Sequence, residues 1–197
     1  MKSLRDLKLP QPWWTKKREE PDGEFIERLR AQDAPACAEL VERYYRPVYH
    51  MAYRLSRNRE DAEDIAQEVF FRALRSLHSL HSTSTVKTWL FRIAVNLYID
   101  QWRKARQSLP LLAAGVENRG PLACLEEKER HTRLEAAILQ LKDKQRVTLV
   151  LRISHGFSFQ EIAETMGSPL GTVKANYHCA VVRLRSLLGT PESSTSH

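Results

Sequence analysis

Cysteine is scarce in this 197-residue chain: Cys37, Cys124 and Cys179 stand far apart and none forms a Cys-x-x-Cys pair. Neither a disulfide framework nor a zinc site is indicated. No apolar run is long enough to span a bilayer, and no signal-peptide core follows the start, so no membrane insertion and a cytoplasmic location are expected. The alternating pattern of a β-strand is missing throughout, and so is any internal repeat. No Gly-rich phosphate loop, metal cluster or nucleophile–base pair stands out. His50, His78, His81, His131, His155 and His178 are scattered without ligand spacing. An enzyme therefore finds no site here, and no cofactor is expected.

What the chain does have is positive charge and helical periodicity. The net charge is +7, which weakly favours a polyanionic partner. The most informative stretch is Ser158–Lys174. Ser158 can cap a helix, and Glu161 can reach back to complete a capping box. Ala163 offers a small side chain where a second helix could cross. Gly167 ends the helix in the left-handed conformation. Ser168 and Pro169 are expected to restart it as N-cap and first residue. Val173 falls where it can pack on Ile162 and Met166. This is the logic of a helix-turn-helix, whose second helix enters the DNA major groove.

The rest of the chain reads as two all-α units joined by a flexible linker. Residues 1–23 form a tail rich in proline and charge, in which Trp13-Trp14 is the exception. A short helix is expected around Phe25, Ile26 and Leu29. Asp33-Ala34-Pro35 opens the next, along which Cys37, Leu40, Val41, Tyr44, Val48, Met51, Ala52 and Leu55 recur at helical period. Pro47 inside this run predicts a kink or break. Asn58 caps a third helix with an apolar stripe at Ala62, Ile65, Ala66, Val69, Phe70, Ala73, Leu74 and Leu77. Asp61, Asp64 and Glu68 share its solvent side. After a polar loop at 78–85, a helix at about 86–106 points Leu90, Ile93, Ala94 and Leu97 inward. Arg92, Asn96, Asp100 and Arg103 form its outward stripe, extended by Lys104 and Arg106. Residues 107–122 read as the linker. Helices at about 125–141 and 144–154 and the helix-turn-helix complete a second unit at 123–189, before a tail at 190–197.

With both halves placed, the chain resembles the extracytoplasmic-function (ECF) group of the bacterial sigma-70 family. The resemblance covers roughly residues 24–188. It rests on Ala38–Tyr49, on Asp61-Ala-Glu-Asp-Ile-Ala-Gln-Glu-Val-Phe70, on Thr88–Asn96 with Asp100, and on Glu161-Ile-Ala163 followed by Gly171-Thr-Val-Lys174. It implies a sigma factor that binds core RNA polymerase and directs it to promoters, serving a stress or envelope response. The unit at 24–106 would read and melt the −10 element; the unit at 123–189 would read the −35 element. Asp61, Asp64, Gln67 and Glu68 would contact the clamp helices of the largest polymerase subunit. Electrostatic complementarity agrees, since an acidic helix face suits a basic partner. Asn96 matches a position near a flipped-out, non-template-strand base. Arg92, Asp100, Arg103, Lys104 and Arg106 would complete the −10 surface, its cations holding phosphates. Trp89 could stack on a base, although core packing is the simpler role. An anti-sigma factor binding across both units is also implied.

The recognition helix departs from the family pattern. After Thr172 and Lys174 it reads Ala175-Asn176-Tyr177-His178-Cys179-Ala180-Val181, so Asn176, Cys179 and Val181 stand where the family is usually basic. Weaker phosphate affinity or a shifted base preference is expected. Asn176 could pair with adenine, and Arg183 and Arg185 remain as backbone contacts. Two other functions stay open on the residues alone. A helix-turn-helix regulator that is not a polymerase subunit would leave the acidic helix and the Asn96 helix unemployed. A helical adaptor would make the turn motif merely structural.

Overall fold

The computed structural model describes residues 23–80, 85–108 and 125–189, with side chains placed except at 104–108 and 125–131. The two tryptophans of the tail, residues 81–84 of the polar loop and residues 109–122 of the linker lie outside the described residues, while 107 and 108, expected in the linker, continue a helix. Eight α-helices occur among those described: α1 Gly23–Arg30, α2 Ala34–Ser56, α3 Arg59–Arg75, α4 Val86–Ser108, α5 Leu125–Leu139, α6 Asp143–Ser154, α7 Phe159–Met166 and α8 Leu170–Leu188. A 3₁₀ turn at Leu77–Ser79 follows α3. No strand occurs among the described residues.

Local chemistry sets the helix ends. The Asp33 carboxylate accepts the Ala36 N–H at the start of α2. Asn58 Oδ1 accepts the N–H groups of Glu60 and Asp61, satisfying donors that α3 cannot pair internally. Such a cap contributes about 1 kcal/mol. At α7 both arms of the capping box form. Ser158 Oγ accepts the Glu161 N–H at 3.1 Å, and Glu161 accepts the Ser158 N–H at 2.6 Å.

Two expectations of detail change. Pro47 does not break α2, which continues for 23 residues with the proline ring buried in the core. Burial of the ring offsets the missing N–H bond. Ser168 is not the cap of α8; the helix starts one residue later, with Pro169 at the N-cap position. Ser168 is used to close α7 instead. Gly167 adopts φ +56°, and the Ser168 N–H returns to the Ala163 carbonyl at 3.0 Å, a Schellman-type closure.

Helices α1–α4 bury the stripes read from the sequence. Leu40, Val48, Met51 and Leu55 of α2 meet Ile65, Ala66, Val69 and Ala73 of α3 and Leu90 and Ala94 of α4 in one core. Helices α5, α6 and α8 enclose a smaller one around Ala137, Leu141, Leu149, Ala180 and Leu184. The two units also pack on each other. Phe91, Val95 and Tyr98 of α4 are buried in the same cluster as Val147, Val150, Leu151, Phe157 and Ile162 of the C-terminal unit. The sequence reading placed a core inside each unit and did not include this third set of contacts.

Candidate nucleic-acid interface

Three faces collect the residues singled out in the sequence, and all three are open to solvent in large part. The first lies on α3. Asp61, Asp64 and Gln67 are exposed, while Glu68 is partly exposed and receives a 2.6 Å hydrogen bond from Arg72. The α3 apolar stripe packs inward, so this acidic side has nowhere else to point. Asp61 sits beside the N-terminus of the helix, where a carboxylate is favoured by the aligned peptide dipoles. The Glu68–Arg72 pair is exposed and stabilises the helix by only a few tenths of a kcal/mol.

Sequence reading missed Phe71 on this face. It is the most exposed large apolar side chain described, at 56%. The Arg75 guanidinium lies 5.3 Å from its ring centroid. Phe71 follows Asp64, Gln67 and Glu68 by seven, four and three positions, so it shares their side of the helix. Its position off the otherwise regular stripe was the available signal.

The second face is the outward side of α4. Arg92, Asn96, Asp100 and Arg103 are all exposed at spacings of four, four and three. Asp100 and Arg103 approach only to 4.0 Å, so both keep their polar groups for solvent or a ligand. Leu90, Ala94 and Leu97 are buried beneath them and fix the rotation of the helix. Lys104 and Arg106 continue α4, their side chains outside the described set. Trp89 is half-buried against the core, in keeping with a packing role. Thr85 caps the start of the helix by accepting the Thr88 N–H. That bond anchors the described end of the polar loop, of which residues 81–84 lie outside the described residues.

The third face runs along α8 from Thr172 to Arg183. Thr172, Lys174, Ala175, His178, Cys179 and Arg183 are exposed, and Val173 is fully buried in the shared core. Burial of Val173, Ala180 and Leu184 turns the reading positions outward. Asn176 differs from its neighbours. It is half-buried, and its Nδ2 is withdrawn from solvent without a hydrogen-bond partner. Arg183 and Arg185 are exposed farther along.

Behind these faces, the seam between the two units is rich in cations. Arg146 of α6 is fully buried and donates to the Leu55 carbonyl at 3.2 Å, the Tyr98 hydroxyl at 2.8 Å and the carbonyls of Leu139 and Leu141. Arg57 makes a two-pronged ion pair with Glu135 of α5. Lys87 donates to the His155 carbonyl at 3.3 Å and lies 4.6 Å from the Phe157 ring centroid. Burial, then the charges of Lys87, Arg54 and His50, holds the His155 imidazole well below its ordinary pKa of 6.5. Burial also lowers His50, aided by Arg46 and Arg54, and lowers Arg54, aided by Arg57 and opposed by Glu135. Nothing in the sequence marks Arg146 as a core residue, because its partners all lie outside α6 and two of them, Leu55 and Tyr98, belong to the other unit.

These faces can be set beside known proteins. Residues 40–108 match the model of Sigma-70 region 2, and residues 131–184 match Sigma-70 region 4. The chain is 33% identical to the ECF RNA polymerase sigma factor SigE of Mycolicibacterium smegmatis, over 93% of this chain and 74% of that protein. It is 35% identical to the ECF RNA polymerase sigma factor SigW of Bacillus subtilis, over 83% of this chain and 94% of that one. Among solved structures, the fold matches CnrH in complex with the cytosolic domain of CnrY, with a TM-score of 0.67 at 21% identity over 86% of this chain and 97% of that one. It also matches RpoE in complex with the anti-sigma factor NepR from Bartonella quintana, with a TM-score of 0.63 at 24% identity over 77% and 95%. Matches to both region models in chain order, with relatives aligned along most of their length, place this chain in the ECF group of the sigma-70 RNA polymerase sigma factor family.

Proposed function

We propose that this chain binds core RNA polymerase and directs promoter-specific initiation of transcription. The observation that carries this reading is the division of the exposed polar residues into three separate faces on one polypeptide. An acidic face with an apolar centre, on α3, suits a basic protein partner. A polar and cationic stripe on α4 suits melted DNA, where amide groups can bond base edges and arginines can hold phosphates. An exposed second helix of a helix-turn-helix, α8, suits the major groove of duplex DNA. A conventional operator binder needs only the last of these.

The residue roles follow from this division. Asp61, Asp64, Gln67 and Glu68 engage the polymerase clamp helices, with Phe71 as the desolvating anchor at the centre of the patch. Asn96 bonds an unstacked base of the −10 element, flanked by Arg92, Asp100, Arg103, Lys104 and Arg106. Thr172, Lys174, Ala175, His178, Cys179 and Arg183 face the −35 element, and Asn176 reaches it only if its side chain rotates outward. The domains divide at 24–106 and 123–189, around a linker at 107–122. The regulon is one answering envelope or other stress, as the ECF grouping suggests. An anti-sigma factor is the expected inhibitor, since proteins of the same fold have been solved with such partners. Nothing in this reading calls for catalysis by the chain itself. No described helix is long and apolar enough to cross a membrane, and we place the protein in the cytoplasm with the polymerase.

Run-off transcription with purified core polymerase tests the proposal. The chain should confer initiation at a discrete start site on a cognate promoter fragment. Sequence-specific DNA binding without any run-off product would favour the regulator instead.

A further inference from the structure

The exposed residues of α8 have a definite order around the helix. Val173, Ala180 and Leu184 are buried and fix one line of it against the protein. At about 100° per residue, Val182 and Ala175 lie within about 20° of the line directly opposite, and Cys179 lies about 60° to one side of it. All three are exposed, Val182 at 50%. The outermost ridge of the helix is therefore apolar. Charge stands at its edges: Lys174 and Arg185 flank the ridge on one side and Arg183 on the other, all exposed.

Side chains able to hydrogen-bond a base are set off this ridge. The Asn176 amide is drawn in, its Nδ2 withdrawn from solvent. Tyr177 is half-buried against Phe159 of α7, the rings edge to face with centroids 5.3 Å apart. Thr172 and His178 are exposed on opposite shoulders. Gly171 falls close to the outermost line one turn before Ala175, and a Cβ there would meet nothing within 4 Å. No packing inside the protein keeps that position bare. A glycine followed by an alanine gives α8 a low outer profile over its first turns, and its backbone can approach an outside surface closely.

This cross-section matches the major groove of duplex DNA that contains A·T pairs. Cations at both edges meet the phosphate walls, while the ridge meets the floor. The apolar group on that floor is the thymine C5 methyl, which alanine and similar side chains contact. We infer that Ala175 and Val182, with Cys179 between them, read thymine methyl groups, so that α8 selects −35 elements by apolar contact rather than by hydrogen bonds to base edges. This rests on the reading of α8 as the −35 helix. Ala175 and Val182 stand about 10 Å apart along the axis, about three base-pair steps, so each meets a different base pair. Cations on both edges favour a groove walled by phosphates over an apolar protein surface.

The test uses the full chain with core polymerase on a duplex promoter library randomised across both elements. The selected −35 sites should carry thymines on one strand or the other. Deoxyuridine, which lacks only the C5 methyl, then replaces each thymine in turn. Loss of a contacted methyl should weaken binding by about fourfold, the transfer of one methyl-sized group out of an apolar contact. Ala175→Ser and Val182→Thr each put a hydroxyl on the ridge with little change of size. Each should abolish the uracil penalty at one position and leave it at the other, with core-polymerase binding and the thermal unfolding temperature unchanged. Selected sites without thymine would overturn the inference, as would uracil without effect at every position. A penalty equal in the parent and both variants would also overturn it, since the methyl would then act through DNA shape. Variants that weaken core-polymerase binding in a light-scattering titration, with the uracil penalties intact, would place a protein on the ridge instead. If the chain alone selects DNA but no run-off product forms with core enzyme, the sigma-factor reading fails, while the uracil panel on that duplex still decides what Ala175 and Val182 read.

Discussion

Helices α4 and α8 are both cast as DNA readers, yet they are built differently. Helix α4 is buried on two sides, by its own bundle and by the opposite unit, and shows solvent a narrow polar stripe. Its described stripe holds two arginines around Asn96. Helix α8 rests on one row of small and branched residues, Val173, Ala180 and Leu184, and leaves most of its circumference open. Over Thr172–Arg183 it offers only Lys174 and Arg183 as permanent cations. The difference separates two ways of holding DNA. A rigid, narrow stripe suits a few positioned contacts to individual bases, whereas an open helix with little charge suits weak groove binding that a partner must reinforce.

The largest effect that would break this comparison is on α4. Asn96→Ala should reduce promoter melting by roughly ten- to a hundredfold, the loss of one good base contact at about 1–3 kcal/mol. Closed-complex formation, measured by filter binding at low temperature, should change far less. Equal losses in both would show that Asn96 does not act on melted DNA.

Next in size is a control that should affect both helices alike. Reversing charge at Asp64 and Glu68 should weaken core-polymerase binding by about tenfold, as should Phe71→Ala, measured by light-scattering titration. The thermal unfolding curve should move little, because the charge reversals lie off the buried stripe and cost within about 0.5 kcal/mol. Unchanged affinity would remove α3 from the account.

How the seam escaped the sequence is instructive. The α3 stripe, the Asn58 cap and the Ser158–Glu161 box were legible because each is local: period and caps act within one or two turns. Burial of α4 by a partner more than 50 residues away leaves a fainter trace. Its buried positions Leu90, Phe91, Ala94, Val95, Leu97 and Tyr98 cover more of the helix than one neighbour can occupy. That width was readable, but not what fills it. Arg146 left no trace, since an arginine directly after Asp143, Lys144 and Gln145 reads as one more surface residue of the helix start. Ser168 and Pro47 show the limits at finer scale. A cap residue can serve the helix it ends, and a proline can be absorbed where its ring finds a core.

Acid should act on the seam through His155. Burial holds its imidazole well below 6.5, so the unfolded chain binds the extra proton. The folded form keeps this contribution in full above about pH 6.5 and loses it as pH falls toward the depressed value, by up to about 1.4 kcal/mol per unit. His50 shifts in the same direction. The thermal unfolding temperature should therefore fall on acidification in the parent chain, and less so in His155→Asn. An unfolding temperature independent of pH between 7 and 5 in both would show that His155 does not titrate on unfolding.

The smallest effects sharpen the description of α8. Cys179→Arg should tighten binding to many −35 variants alike and steepen the log–log salt slope by roughly 0.9, one added phosphate contact. Asn176→Ala should alter base preference if the amide swings outward, and weaken all variants equally if it stays tucked in the helix. Binding isotherms of the full chain with core enzyme, across salt and single-base variants, read both.

The most direct test of the central claim is permanganate footprinting of a cognate promoter with core polymerase, with and without the chain. The account predicts that thymines of the −10 region become reactive only when core enzyme and chain are both present. Protection of the −35 region by the chain alone, with no reactive thymines when core enzyme is added, would contradict it.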